Sequence, residues 1–191
     1  MTGRTTTTKL DSLFLNRWSP RAFESQPIPQ EDIDTMLDAA RHAPSAYNYQ
    51  PWTFLYALNG DENWDRFLSL LVPFNQDWAK GAPALFFIVS ELTMGDPEKP
   101  NHTHSFDAGA AWASFAFQAS LLGYHTHGMS GVDFERAQKE LNVPEGFRVE
   151  AAFVVGKIGS PDTLSDVLKE REVPSDRKPL DKVGYPGNFQ A

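Results

Sequence analysis

The longest strongly apolar run in the chain covers residues 82–89 and is far too short to span a bilayer. It therefore belongs in a core, and we read residues 84–90 as a buried strand. Residues 148–157 alternate Val149, Ala151, Phe153 and Val155, which is the two-residue period of a strand. The aromatic and aliphatic segment Trp52–Leu58 reads as a third strand, and residues 124–129 as a short fourth. Segments of helical spacing lie around them. Leu10, Leu13 and Phe14 mark a helix within residues 9–17, and Ile33, Met36, Leu37 and Ala40 mark one that opens after Pro27 and Pro29. Further helices are expected over residues 61–71, 106–122 and 133–141, the second of these buried nearly all round and stopped by Gly123. Strands separated by helices predict α/β or α+β layering. A length of 191 residues suits one domain with a sizeable core and is short for two.

Prolines set the punctuation. Pro20 disfavours helix at Ser19, and Pro44 and Pro51 bracket a loop. Residues 91–105, with Gly95, Pro97 and Pro100, read as another loop. Residues 160–191 hold Pro161, Pro174, Pro179 and Pro186 and show little periodicity beyond a short helix near 163–170. Such a tail must lie on a surface, its own or a partner's. The formal charge of −8 argues against a nucleic-acid binder, which needs a basic stripe to displace counterions. The absence of cysteine excludes disulfides, thiolate metal sites and a cysteine nucleophile. Residues 1–9 are polar and threonine-rich with no apolar stretch, unlike a secretory signal. A soluble cytoplasmic protein without a membrane partner is the expectation.

Neither a P-loop nor a G-x-G-x-x-G motif is present, so any phosphate must be held by side chains. Arg17 and Arg21 flank Ser19 across a helix-ending turn, and guanidinium forks suit phosphate oxygens. Taken alone, the pair reads equally as two solvated arginines. Arg177 and Lys178 make a second small basic pair, which alone reads as surface charge. The stretch Pro44-Ser-Ala-Tyr-Asn-Tyr-Gln-Pro-Trp52 holds Asn48 and Gln50 between two prolines. Paired donors and acceptors on a rigid loop suit the imide edge of a planar heterocycle, though an ordinary Asx-type turn fits the same pattern. His102-Thr-His104 and His125-Thr-His127 are two H-x-H pairs, and residues two apart on a strand face one way, as a metal chelate needs. No carboxylate lies inside either pair, so partly exposed or loop histidines are the plainer reading.

Taken together, Arg17-x-Ser-x-Arg-x-Phe23, Ala43-Pro-Ser-Ala-x-Asn-x-Gln-Pro-Trp52, Phe74-Asn75, residues 123–133 and Val155-Gly-Lys157 resemble the nitroreductase family in order and spacing. The resemblance runs from about Lys9 to Lys182. It implies an α+β fold, a mixed sheet flanked by helices, in an intertwined homodimer with FMN at the interface. It also implies one domain over residues 1–191, whose segment 160–191 is an arm packing on the partner subunit. The implied activity passes hydride from NADH or NADPH through FMN to a small organic acceptor. By position, Arg17 and Ser19 match contacts to the flavin phosphate and ribityl side, and Arg21 matches a basic residue near N1 and O2. Ser45 and Asn48 match contacts from the partner subunit. Asn75 matches an asparagine at the pyrimidine edge, Ser130 and Gly131 match backbone donors near N5 and O4, and Arg177 matches a phosphate contact from the tail. Trp18, Pro44, Ala46, Gln50 and Met129 complete the expected cofactor-binding set within the same motifs. No side-chain base is implied, because the cofactor carries the hydride step. Trp78 stands where many relatives carry a lysine, so one cation near the flavin is missing.

Overall fold

The computed structural model describes residues 2–190. Four strands form one sheet in the order β1-β2-β4-β3: β1 Trp52–Leu58, β2 Ala84–Glu91, β3 His125–Met129 and β4 Phe147–Gly156. Every pairing is antiparallel, with Trp52 opposite Ser90, Ala84 opposite Val155 and His125 opposite Gly156. The resemblance implied a mixed sheet; among the described residues there is no parallel pair. The reason is topological. β2 and β3 run the same way and are joined by a helix, α5 (His104–Leu121), but β4 returns into the gap between them and pairs antiparallel with both.

Burial follows the pleat. In β2 the side chains of Leu85, Phe87 and Val89 enter one apolar cluster, and those of Ala84, Phe86 and Ile88 enter another. Helices must therefore cover both faces of the sheet. On one face lie α2 (Gln30–Arg41), through Ile33, Met36 and Ala40, and α5, through Ala108, Ala111, Phe115 and Ala119. Phe86 stacks on Phe153 at 4.8 Å there, with Phe115 edge-on to both. The other face carries α3 (Trp64–Ser69), α4 (Pro73–Ala79) and α6 (Phe134–Glu140), with Phe67, Trp78 and Ala137 buried. Deleting a buried ring such as Phe86 or Phe153 costs about 3–5 kcal/mol in cores of this kind.

Several boundaries differ from those read in the sequence. The first helix, α1 (Ser12–Asn16), starts later than residue 9 because the Asp11 carboxylate caps it by accepting from Leu13 N–H at 2.7 Å. The helix expected over residues 61–71 is shorter, α3 covering Trp64–Ser69, and a further helix that was not expected, α4, opens at Pro73. α5 begins at His104, so this histidine is helical and not part of a loop. The tail forms a short helix, α7 (Asp166–Lys169), and Leu164 and Leu168 are buried in the chain's own core. Glu172 then ties the tail down, its carboxylate accepting from Arg21 N–H and Ala22 N–H at 2.8 Å each. Beyond Glu172 the described residues expose Val173, Leu180, Val183 and Phe189. No helix among the described residues is long and apolar enough to cross a membrane.

Candidate functional site

After α1 the chain turns extended at Arg17 (φ −65°, ψ 124°) and runs past β3, an edge strand of the sheet. This places Arg17, Trp18, Ser19 and Arg21 along one wall of a cavity of about 260 Å³. Arg171, Ser175 and Arg177 reach in from the tail, Arg4 from the N-terminal arm and His127 from β3. Five guanidiniums thus converge from three distant segments. Arg4 fastens two of those segments, donating from Nε to Ser175 O at 3.0 Å and from Nη1 to Arg17 O at 2.8 Å. Arg17 Nη1 is buried with no hydrogen-bond partner. Burial first, then the Arg177 and Arg4 cations, pull the Arg17 guanidinium below its ordinary pKa. A half-buried cation facing cations is unfavourable until an anion joins it. The expected set Arg17, Trp18, Ser19, Arg21 and Arg177 is therefore brought together. Arg4 and Arg171 join it without any signal in the sequence, because isolated arginines in a polar arm and a tail carry no pattern.

His127 and Trp78 close one side of this region. His127 Nδ1 lies 2.8 Å from the Pro20 carbonyl, and the imidazole packs on the Trp78 indole with centroids 4.6 Å apart. Burial, aided by the Arg21 and Arg17 charges and opposed by the Pro20 contact, pushes His127 down to about 4. His125, one turn of the pleat away, is also lowered by burial and then by Arg17. The H-x-H pairs do not converge: His104 Nδ1 is 3.1 Å from the Glu150 carboxylate at the far end of the sheet. Among the described residues no three His, Asp or Glu side chains cluster as metal ligands.

Asn75, on α4, donates from Nδ2 to Gly131 O at 3.2 Å, just past the end of β3. A Cβ on Gly131 would collide with Asn75 Nδ2 and Val72 Cγ2, so any side chain here would displace Asn75. Val72 N–H to Gly131 O at 3.0 Å and Asp133 N–H to Leu70 O at 2.8 Å lock the same crossing. Met129 is buried and Ser130 exposed.

The loop holding Pro44, Ser45, Ala46, Asn48 and Gln50 lies elsewhere, leading into β1 at the opposite edge of the sheet from β3. Three of its non-glycine residues have left-handed backbones: Tyr47 (φ 54°), Asn48 (φ 56°) and Gln50 (φ 55°). Asparagine tolerates that conformation; tyrosine and glutamine are strained in it. Hydrogen bonds hold the strain in place. Ser45 Oγ accepts from Gln50 N–H at 3.0 Å, Gln50 Nε2 donates to Asn48 O at 2.9 Å, and the buried Asp107 carboxylate accepts from Ala46 N–H at 3.1 Å. Tyr47 is 92% exposed. Within one chain this loop does not meet the arginine cavity.

Comparison with known proteins agrees with this geometry. The model of the nitroreductase family matches residues 15–157. A solved structure described as an oxidoreductase containing FMN is 49% identical, covers 100% of this chain and 98% of its own, and superposes with a TM-score of 0.96. An uncharacterized 15.4 kDa protein of Mycolicibacterium smegmatis is 31% identical over 130 residues, 68% of this chain and 86% of its own. A Rhodopseudomonas palustris protein provisionally named NADH dehydrogenase/NAD(P)H nitroreductase is 24% identical over 155 residues, 72% of this chain and 78% of its own. With the motifs, the layered α+β fold and a family match over most of its length, the chain belongs to the nitroreductase family.

Proposed function

We propose that the protein is a cytoplasmic, homodimeric FMN-dependent oxidoreductase that passes hydride from NADH or NADPH to a small organic acceptor, a nitroaromatic, quinone, enal or flavin. The observation that carries this reading is the arginine cavity with its unpartnered, buried Arg17 Nη1. Such a cavity fits a phosphate monoester, because guanidinium forks match its oxygens and an anion relieves the mutual repulsion. The FMN-containing structure at 49% identity and the nicotinamide in the name of the R. palustris relative support the cofactor and the electron donor. When bound, FMN supplies hydride acceptance and release at N5.

The chain's own residues bind and orient. Arg17, Arg177 and Ser19 hold the phosphate end. Arg21, its backbone N–H tied to Glu172, offers a cation where negative charge develops at N1 and O2. The crossing of Asn75 and Gly131 fixes the β3 terminus, where Ser130 and Gly131 offer backbone N–H groups to the ring. Ser45, Asn48 and Gln50 complete the site of the other subunit, and the tail beyond Glu172 packs on that subunit. Among the described residues there is no dinucleotide-binding fold, so nicotinamide and acceptor occupy the same space in turn, at about 3–3.5 Å from the reacting atom. Parallel double-reciprocal plots are the kinetic signature; intersecting lines with a ternary complex would reject the shared space.

The decisive test is whether the purified protein is yellow, releases FMN on denaturation and, in stopped flow, has its flavin bleached by NADH or NADPH. A colourless protein that does not quench micromolar FMN fluorescence refutes the reading. The shared site has its own test. Mixed R17A and N48A subunits should regain up to about a quarter of wild-type sites, since each mixed dimer of two-fold symmetry holds one intact site. No recovery on mixing would mean that the loop and the arginines serve different sites.

A further inference from the structure

His127 is the one imidazole in a cavity whose charged side chains are all guanidiniums and whose Ser19 and Ser175 hydroxyls can donate or accept. Its Nδ1 faces the Pro20 carbonyl at 2.8 Å, and a carbonyl only accepts, so Nδ1 carries the proton and Nε2 carries a lone pair. Burial and the nearby guanidiniums keep the ring neutral. The Trp78 indole, itself 4% exposed, holds the ring plane. The Pro20 carbonyl holds Nδ1, the Ser19 backbone also lies beside the imidazole, and no side chain among the described residues hydrogen-bonds Nε2, whereas the Ser175 hydroxyl already accepts from Arg177 at 3.2 Å. The charged side chains of the cavity are all guanidiniums, which donate and never accept. An anion alone satisfies those donors and leaves the imidazole acceptor without a proton to receive.

We propose that His127 Nε2 accepts a hydrogen bond from a hydroxyl on the ligand's own chain, so that the cavity recognises a phosphate monoester bearing a neighbouring free hydroxyl rather than a bare anion. The inference rests on the flavin reading above, where the ribityl chain of FMN supplies both groups. His127 then confers specificity and takes no part in hydride transfer. The orientation comes from β3: the Pro20 clasp sets the tautomer and the Trp78 face sets the tilt. Trp78 thus shapes a neutral acceptor in a cavity of cations.

Two substitutions separate this role from a structural one. In H127N the amide can keep the Pro20 contact but has no acceptor at the Nε2 position. In H127Q an amide oxygen reaches that position while the Pro20 contact is lost. FMN binding is read by fluorescence quenching, and sulfate, an anion without a hydroxyl, is titrated as competitor. H127N should weaken FMN about fivefold, as expected for one neutral hydrogen bond, and leave the sulfate constant unchanged. H127Q should stay within about threefold of wild type for both. Wild-type FMN affinity in H127N, or equal losses of FMN and sulfate, would overturn the proposal, the second by showing that His127 only props the arginines. Failure of the wild-type protein to bind FMN at all would instead fell the flavin reading, and this inference with it.

Discussion

The arginine cavity and the loop over residues 44–50 stand at opposite edges of one sheet and are built in opposite ways. The cavity gathers unstrained backbone from three distant segments and stores its tension as charge: five cations, one of them half-buried with its Nη1 unpartnered. The loop is one continuous segment with no charged side chain, and stores its tension in three left-handed residues held by internal hydrogen bonds. Charge tension is relieved by a small anion. Backbone tension is retained when a surface must be presented in a fixed shape, and Tyr47, almost fully exposed, is presented to nothing in its own chain. On the proposed reading the cavity takes the ligand and the loop meets a neighbouring subunit.

The largest effect should come from the cavity. R17A removes a charge-assisted contact of about 1.5–3 kcal/mol, so FMN should bind roughly ten- to a hundredfold more weakly. Thermal stability of the FMN-free protein should hold or rise, because a buried like-charge contact is gone. Unchanged FMN affinity in fluorescence titration would remove Arg17 from the site and leave the cavity a structural feature.

Next comes the support of the loop. Asp107 is 2% exposed and accepts from Ala46 N–H at 3.1 Å and from Thr103 Oγ at 3.0 Å. D107A leaves two donors without their acceptor, a loss of about 2 kcal/mol read in urea unfolding. If the loop serves the other subunit, dimer affinity or FMN affinity falls as well. A variant that loses stability but keeps both would confine the loop to a structural role.

The contrast also explains what was legible beforehand. Strand and helix existence followed from periodicity, and the runs around Phe86 and Phe153 were found because burial on a pleat leaves a pattern. Arg17, Ser19 and Arg21 were visible because they lie within a few residues of each other, and Arg177 through the family resemblance. Arg4 and Arg171 were not, since convergence of separate arms is a tertiary event with no local trace. The helix α4 was missed because its seven residues, Pro73–Ala79, are too few to show a helical period of their own. The β4 bulge, where Glu150 stands unpaired between Val149 and Ala151, was also invisible. There burial raises the Glu150 carboxyl, but hydrogen bonds from Arg148 and Ser90 outweigh it and hold the group below its usual range.

Acid should separate the two regions without mutation. His127 has an ordinary value of 6.5 and is pushed down to about 4 in the fold, and His125 shifts the same way. A lowered base binds fewer protons folded than unfolded between those values. Stability is therefore complete above pH 6.5 and falls as pH drops towards 4, by about 2 kcal/mol for His127 after allowing for its partial exposure. Urea midpoints against pH should show this slope, and H127Q should flatten it. An identical slope in H127Q would mean that the ring titrates freely, and the fixed acceptor would go with it.

The smallest effect tests the loop itself. Y47G replaces a left-handed tyrosine (φ 54°) by the residue that adopts this conformation without strain. Relief of about 1–2 kcal/mol is partly offset by the extra entropy glycine gains in the unfolded chain, about 0.5–1 kcal/mol. The net should be a gain of up to about 1 kcal/mol, or roughly 2–4 °C in Tm for a chain of this size. Because the ring is exposed, almost no packing is lost within the chain. A rise in Tm with weaker dimerisation or weaker FMN binding is the outcome expected of a segment whose strain is kept for function. A rise in Tm with both unchanged would show the strain to be idle, and would reduce the comparison to one functional region and one ordinary turn. A fall in Tm would point to the tyrosine ring being covered in the assembled protein, which strengthens the two-subunit site while rejecting strain as the reason for the loop's shape.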